Sequence, residues 1–161
     1  MIAFTHRRRP TIAALLLGIG LGGFADGIVL HQILGWHNML SSVLPPVTLD
    51  AMHVNMRWDG YFHAGTWLAT STGVLMLWPT VRQPVQLPGT SWLVGLMLAG
   101  WGVFNLVEGV IDHQVLQIHH VRGHGPNLLW DMSFLASGVV LIGLGLAIAR
   151  AASAPARPSR R

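Results

Sequence analysis

The sequence contains no cysteine. That absence removes disulfide scaffolds, thiolate zinc sites, iron–sulfur clusters and Cys nucleophiles together. It also contains no lysine, so its ten basic residues are all arginine. Charge of either sign is scarce: 10% of the 161 residues are charged, where a soluble domain carries about 25%. A water-facing surface cannot be built from that supply. Hydrophobic residues make up 52% of the chain instead, and its mean hydropathy is +0.50. The net charge of +4 does not read as a nucleic-acid footprint, because the arginines gather at the two ends. That distribution suits a membrane surface. The length allows about one domain. The chain reads as an all-α integral membrane protein whose first partner is the lipid bilayer.

The uncharged stretches run Thr11–Ala25, Ala64–Val81, Gln83–Val107 and Met132–Ala149. A membrane helix needs roughly 20 mainly apolar residues, so some of these must extend into neighbouring polar motifs. The pattern predicts a four-transmembrane-helix bundle, with helices near 11–35, 57–79, 90–119 and 129–150. Breakers fall between them: Pro45-Pro46, then Pro79, Pro84 and Pro88, then Gly123-His124-Gly125-Pro126. Arg7, Arg8, Arg9, Arg82, Arg150, Arg157, Arg160 and Arg161 all fall on one side of such a bundle, leaving only Arg57 and Arg122 on the other. The positive-inside rule then places both termini in the cytoplasm and the protein in the cytoplasmic membrane. A competing reading takes Arg7–Ala25 as a cleavable signal peptide, but the apolar pattern resumes directly after Asp26. Residues 1–150 form one domain in this reading, and the Ala/Pro/Ser/Arg-rich tail 151–161 is expected to be disordered.

An internal repeat is the most informative feature. Asp26-Gly-Ile-Val-Leu-His31-Gln32-Ile-Leu-Gly-Trp-His37 aligns without gaps to Glu108-Gly-Val-Ile-Asp-His113-Gln114-Val-Leu-Gln-Ile-His119. A weaker echo pairs Trp58-Asp59-Gly-Tyr-Phe62 with Trp130-Asp131-Met-Ser-Phe134. The chain therefore reads as two tandem helical hairpins, about 11–79 and 90–150, related by a pseudo-twofold axis along the membrane normal. Phe24-Ala-Asp-Gly-Ile-Val-Leu-His-Gln and Asn105-Leu-Val-Glu-Gly-Val-Ile-Asp-His-Gln, with Ile118-His-His-Val-Arg122, also resemble a family of bacterial membrane proteins, domain of unknown function 2243. The resemblance covers about residues 10–150 and implies four membrane helices. It leaves function to the residues.

Asp26, His31 and His37 fall on the outer half of the first helix, and Asp59 and His63 open the second. Glu108, Asp112, His113, His119 and His120 crowd the end of the third, and Asp131 opens the fourth. Carboxylates at membrane depth cost at least ~2.5 kcal/mol each, so their convergence on one leaflet marks a site. A transition metal is the most economical reason for it. The repeat supplies four paired positions, Asp26/Glu108, His31/His113, His37/His119 and Asp59/Asp131. These resemble the carboxylate and histidine inventory of dinuclear bundle sites. Such ligation suits iron, copper, zinc or manganese and leaves the choice open.

Helical spacing tests this unevenly. Asp59 and His63 are four apart and share a face, as do Glu108 and Asp112. Asp26 and His31, like Glu108 and His113, are five apart, roughly 140° around a regular helix. Either a π-bulge realigns them or each faces a different neighbour. His37 and His119 lie about 16 Å beyond the acids along a continuing helix, which predicts a second, interfacial layer. Met52, Met56, Asp59 and His63 form a stripe that would favour copper, although methionines at that spacing are ordinarily packing residues.

Several functions compete. One is a membrane metalloprotein for redox or oxygen chemistry, with an open position where His63 is matched by Leu135 and Asp112 by Leu30. A second is a copper storage or delivery factor that captures the ion at His37, Met39, Met52, His53 and Met56. A third is a haem b carrier with His31 and His113 as axial ligands, which leaves the surrounding carboxylates without a purpose. A proton relay through the same groups is the fourth. Association with a second copy or with a larger membrane complex is left open by the small, glycine-faced bundle.

Overall fold

The computed structural model describes residues 2–82, 87–123 and 126–154. Four long helices dominate: α1 (Ile2–Asp26), α2 (Leu49–Arg82), α3 (Thr90–Glu108) and α4 (Leu128–Ser153). Two of them are prolonged by π-helical turns, Gly27–Ile33 after α1 and Gly109–Val115 after α3. The helices depart from their sequence boundaries in one direction at each end. α1 reaches back to Ile2, with Pro10 inside it, and α2 begins eight residues early at Leu49. Helical geometry stops at Ile33 and Val115 rather than near 35 and 119, because the chain turns inward there. α4 continues through Ser153, and the rest of the expected tail, 155–161, lies outside the described residues. So do 83–86 in the second loop and His124-Gly125 in the third.

Three helical stretches are long and apolar enough to cross a membrane: Arg7–Ile33, Thr90–Val115 and Leu128–Ser153. α2 is the longest helix, at 34 residues. Its first half carries Asp50, His53, Arg57, Asp59 and His63, and it falls short of the apolarity of the other three. The helix count of four stands, while membrane-spanning character by composition belongs to three.

Packing follows the repeat. Among the described residues α1 packs on α2, α3 packs on α4, and the two pairs meet along α1 and α3. That contact is set by Gly18 and Gly100, which are equivalent positions of the two halves. A Cβ on Gly18 would collide with the Met97 carbonyl, and one on Gly100 with the Leu15 carbonyl. Leu15 and Met97 are equivalent as well, so the crossing is symmetric. In α3 and α4 the same device recurs, since a Cβ on Gly95 would stand 2.6 Å from the Gly145 carbonyl. Small residues that let backbones touch are the ordinary means of association in lipid, where no hydrophobic drive exists.

The loops after the two π turns are laced across the axis. Ser42 N donates to the Ile118 carbonyl at 3.0 Å, and Gly123 N to the Trp36 carbonyl at 3.1 Å. Arg122 lies over the rings of both Trp36 and Trp130, at 5.2 and 5.5 Å. The outcome is a lid over one end of the bundle, with the buried polar residues beneath it.

Candidate metal centre

The π turns build the site. Leu34 N bonds the Val29 carbonyl and Leu116 N the Ile111 carbonyl, each five residues back. A five-residue ring widens the turn, so residues five apart come onto one side. His31 Nε2 thereby stands 3.2 Å from Asp26 Oδ2, a juxtaposition that a regular helix forbids. Of the two expectations for that spacing, the realigned helix is the one observed. Immediately after each seven-residue π segment the backbone hooks back, Trp36 N reaching the Leu30 carbonyl and Ile118 N the Asp112 carbonyl.

That hook corrects the placement of His37 and His119 in a distant layer. Both rings swing inward and stack on one another, with centroids 4.7 Å apart and planes within 7°. His37 Nδ1 faces the Val121 carbonyl at 2.9 Å, and His119 Nδ1 the Met39 carbonyl at 3.2 Å. Val121 and Met39 are equivalent positions, so each half orients the other half's histidine. A carbonyl only accepts, so in both rings Nδ1 carries the proton and Nε2 is left with its lone pair. Both loop residues lie outside the spans, and burial presses their imidazoles towards neutrality. It lowers His37 to about 4, with His31 as a second cause, and His119 to about 2, with His37 next.

His31 and His113 each face a carboxylate, with unequal closeness. His31 Nδ1 is hydrogen-bonded to Asp59 Oδ1 at 3.0 Å, whereas His113 Nδ1 stands 3.7 Å from Asp131 Oδ1, short of a hydrogen bond. Asp59 is itself fixed by Asn38 at 2.7 Å and Met39 N at 2.8 Å. Asp131 is fixed by His120 at 2.8 Å and Val121 N at 3.0 Å. These aspartates sit behind the histidines, in the orienting position that metal-bound imidazoles ordinarily have. Asp26 and Glu108 complete the interior, within 4.8 Å of each other and of His31 in one ligand-competent group. Two further groups, His31/His37/His119 and Glu108/His113/His119, overlap it. All six side chains are at most 6% exposed.

The inner atoms have few partners. Glu108 Oε2, the Nε2 of His37 and both ring nitrogens of His113 are buried without one, and His31 Nε2 and Asp26 Oδ2 have only each other, at 3.2 Å. His119 Nε2 meets Glu108 Oε1 at 3.3 Å. A buried polar group without a partner costs on the order of 1–3 kcal/mol, so a set of inward lone pairs requires cations or protons among them.

The remaining sequence candidates lie outside this interior. His63 Nδ1 bonds the Asp59 backbone carbonyl at 2.7 Å, not its carboxylate, and its ring packs against Gly27. Asp112 is half-buried and belongs to no ligand group among the described residues. Met52 and Met56 are 45% and 64% exposed while Asp59 is buried, so the stripe splits between surface and interior. His120 and Asn38 carry a role that the repeat reading stopped short of. Extending the alignment one residue past His37/His119 pairs them, and both hold the orienting aspartates.

The family model described as a predicted membrane protein, domain of unknown function 2243, matches residues 13–152, and the chain belongs to that family. No curated protein matches the chain, and no solved structure does.

Proposed function

We propose that this member of the family is a membrane metalloprotein with a resident dinuclear transition-metal centre for redox or oxygen chemistry. Glu108, His113 and His119 serve as one ligand triplet, their ligand atoms within 4.8 Å of one another, and the second ion is held at His31, with Asp26 and His37 on either side of it. Asp59 and Asp131 orient the imidazoles from behind. The observation that carries this reading is the convergence of six buried side chains whose inward atoms are all acceptors. Charge supports two ions. Four buried carboxylates, Asp26, Asp59, Glu108 and Asp131, balance two divalent cations, and a neutral assembly is the least costly in a low-dielectric interior. Mixed imidazole and carboxylate ligation suits iron, manganese, zinc or copper. Three protein ligands per ion leave positions open for a small reactant.

Burial favours a resident centre over cargo in transit, because no ligand is exposed for capture. The packed imidazoles favour ions over haem. His37 and His119 each lie within 6.4 Å of both His31 and His113, where a macrocycle bridging that pair would need the space. We place the centre at the extracytoplasmic end of the bundle and both termini in the cytoplasm, on the arginine asymmetry. α2 crosses as the fourth span. Its second half is uncharged from Ala64 to Val81 and exposes Trp67, Leu68, Val74 and Leu75 as a lipid-facing surface.

The deciding experiment is elemental analysis of detergent-purified protein beside the His31→Ala/His113→Ala variant. Two equivalents of metal per chain that vanish in the variant support the centre. Ions that exchange within minutes to a mild chelator favour storage or delivery. Protein that neither carries nor takes up metal overturns the reading in favour of a proton relay.

A further inference from the structure

A cleft in the bundle stands beside the ligand group without belonging to it. α1 and α4 do not pack on each other among the described residues, and between them, over α3, lies an open cleft of about 320 Å³. Asp26, Asn105, Trp101, Phe134, Gly22 and Val29 line it. Each belongs to a stretch apolar enough to span a membrane, so the cleft opens at the depth of lipid.

Two features make it more than an apolar groove. Asn105 is 5% exposed, and its amide nitrogen donates to Ser137 Oγ at 2.9 Å, while its Oδ1 is buried with no partner. The Asp26 carboxylate, whose Oδ2 faces His31 Nε2 at 3.2 Å, lies beside it. The cleft thus offers an orphaned amide oxygen and a carboxylate between an indole and a phenyl ring. Flat aromatic walls favour a flat aromatic guest, and orphaned buried acceptors favour one that brings its own hydroxyl donors.

The other half of the repeat does not reproduce this. The position of Gly22 is taken by Phe104, that of Asn105 by Gly23 and that of Trp101 by Ile19. Phe62 and its counterpart Phe134 both lie against a histidine, but Phe62 is stacked flat on His31 at 5.5 Å and 6°, while Phe134 is tilted 49° to His113 at 5.4 Å. The pseudo-symmetric centre is therefore approached from one side.

We propose that this cleft binds a membrane-dissolved hydroquinone, a two-hydroxyl aromatic head on an apolar tail. One hydroxyl donates to Asn105 Oδ1, the other points to Asp26, and the ring lies along Trp101 and Phe134 with the tail in lipid. The proposal rests on the metal reading only in that the head would then sit beside the ions.

The test uses the full-length protein in detergent and a decyl-tailed benzohydroquinone under anaerobic conditions, read as a saturable binding constant. Metal content and melting temperature are recorded on the same samples. Asn105→Leu weakens binding about tenfold, as loss of one buried hydrogen bond to the ligand implies. Val29→Trp, on the exposed rim, blocks the mouth without touching the core and gives a comparable or larger loss. Ile111→Trp, its counterpart on the other half, leaves binding unchanged. The dimethyl ether of the same head binds at least about tenfold more weakly, since it brings no donor. Absence of saturable binding, equal binding of the ether, or an equal loss in Ile111→Trp overturns the proposal. A failed metal reading shows separately, as unaltered hydroquinone binding in protein that holds no ion.

Discussion

His31 shows how one residue type acquires a role from what stands on either side of it. Its Nδ1 faces Asp59 at 3.0 Å and its Nε2 faces Asp26 at 3.2 Å. The first contact orients and the second belongs to the interior, so the two acids differ in consequence when replaced. Glu108→Gln or Asp26→Asn removes a ligand and is expected to lower metal content outright. Asp59→Asn keeps the ligand count and is expected to weaken affinity about 10–100-fold, as loss of an orienting carboxylate usually does. Competition with a chelator of known affinity separates the two. His37 makes a prediction for pH. Its folded pKa is lowered to about 4 by burial, against about 6.5 in an unfolded chain. Between those values the unfolded state binds more protons, so stability rises with pH. The metal-free protein should hold its full stability above pH 6.5, lose part of it as the pH falls to about 4, and change little from this group below that. Melting curves of wild type and His37→Gln across that window check it, the variant having the shallower dependence.

At the scale of elements, the π turns and the glycine crossings do different work. The π turns place histidines; the glycines only bring helices close. Inserting an alanine after Val29 would make the Asp26–His31 spacing six, which neither an α turn nor a π turn brings onto one face, and would swing His31 away from Asp26. The expected result is loss of the first half's metal with helix content preserved, read by elemental analysis together with far-ultraviolet circular dichroism. Gly100→Val drives a side chain into the Leu15 backbone, and overpacking of this kind costs about 1–3 kcal/mol. A lowered melting temperature in detergent is its signature, and metal loss follows only as the bundle opens. The loops contribute through their turns. Gly35 and Gln117 are equivalent positions with φ of 57° and 50°, and only Gly35 is the residue that this conformation favours. The second half keeps the geometry with a glutamine because the hook is fixed by the Ile118 and Leu116 backbone bonds.

For the whole molecule, the testable quantity is topology. The absence of cysteine makes single-cysteine labelling clean. With four spans, Val47→Cys and Gln117→Cys, both exposed, react with a membrane-impermeant maleimide from outside, and Arg9→Cys and Thr90→Cys react only after permeabilisation. Thr90→Cys labelled from outside would mean that α2 does not cross, and the proposed fourth span would fall. The arrangement α2, α1, α3, α4, with the central pair crossing at Gly18 and Gly100, leaves grooves between α1 and α4 and between α2 and α3. The first is lined by Asn105, whose Oδ1 is buried without a partner, where the other half has Gly23.

Much of this was legible in the residues alone. Scarce charge and uncharged runs of this length dictate helices in lipid, since a helix satisfies its backbone hydrogen bonds within one segment and a barrel strand needs only about 10 residues. The repeat dictates the pairing of Asp26 with Glu108 and of His31 with His113, because equal sequences adopt equal local structure. The arithmetic of five-residue spacing offered a π turn as one of two ways to accommodate each acid and its histidine, and the tertiary structure chose between them. What the sequence could not give is where the chain goes after those turns. His37 and His119 reach the interior through a reversal fixed by bonds between the two halves, to Val121 and Met39. Contacts between residues 80 or more positions apart leave no local periodicity to read. The division of labour among the acids is likewise tertiary. Asp26 and Asp59 are the same residue type on adjacent helices, and only the groups around each, Asn38 and Met39 N for Asp59 and His31 Nε2 alone for Asp26 Oδ2, make one an orienting group and leave the other for the interior.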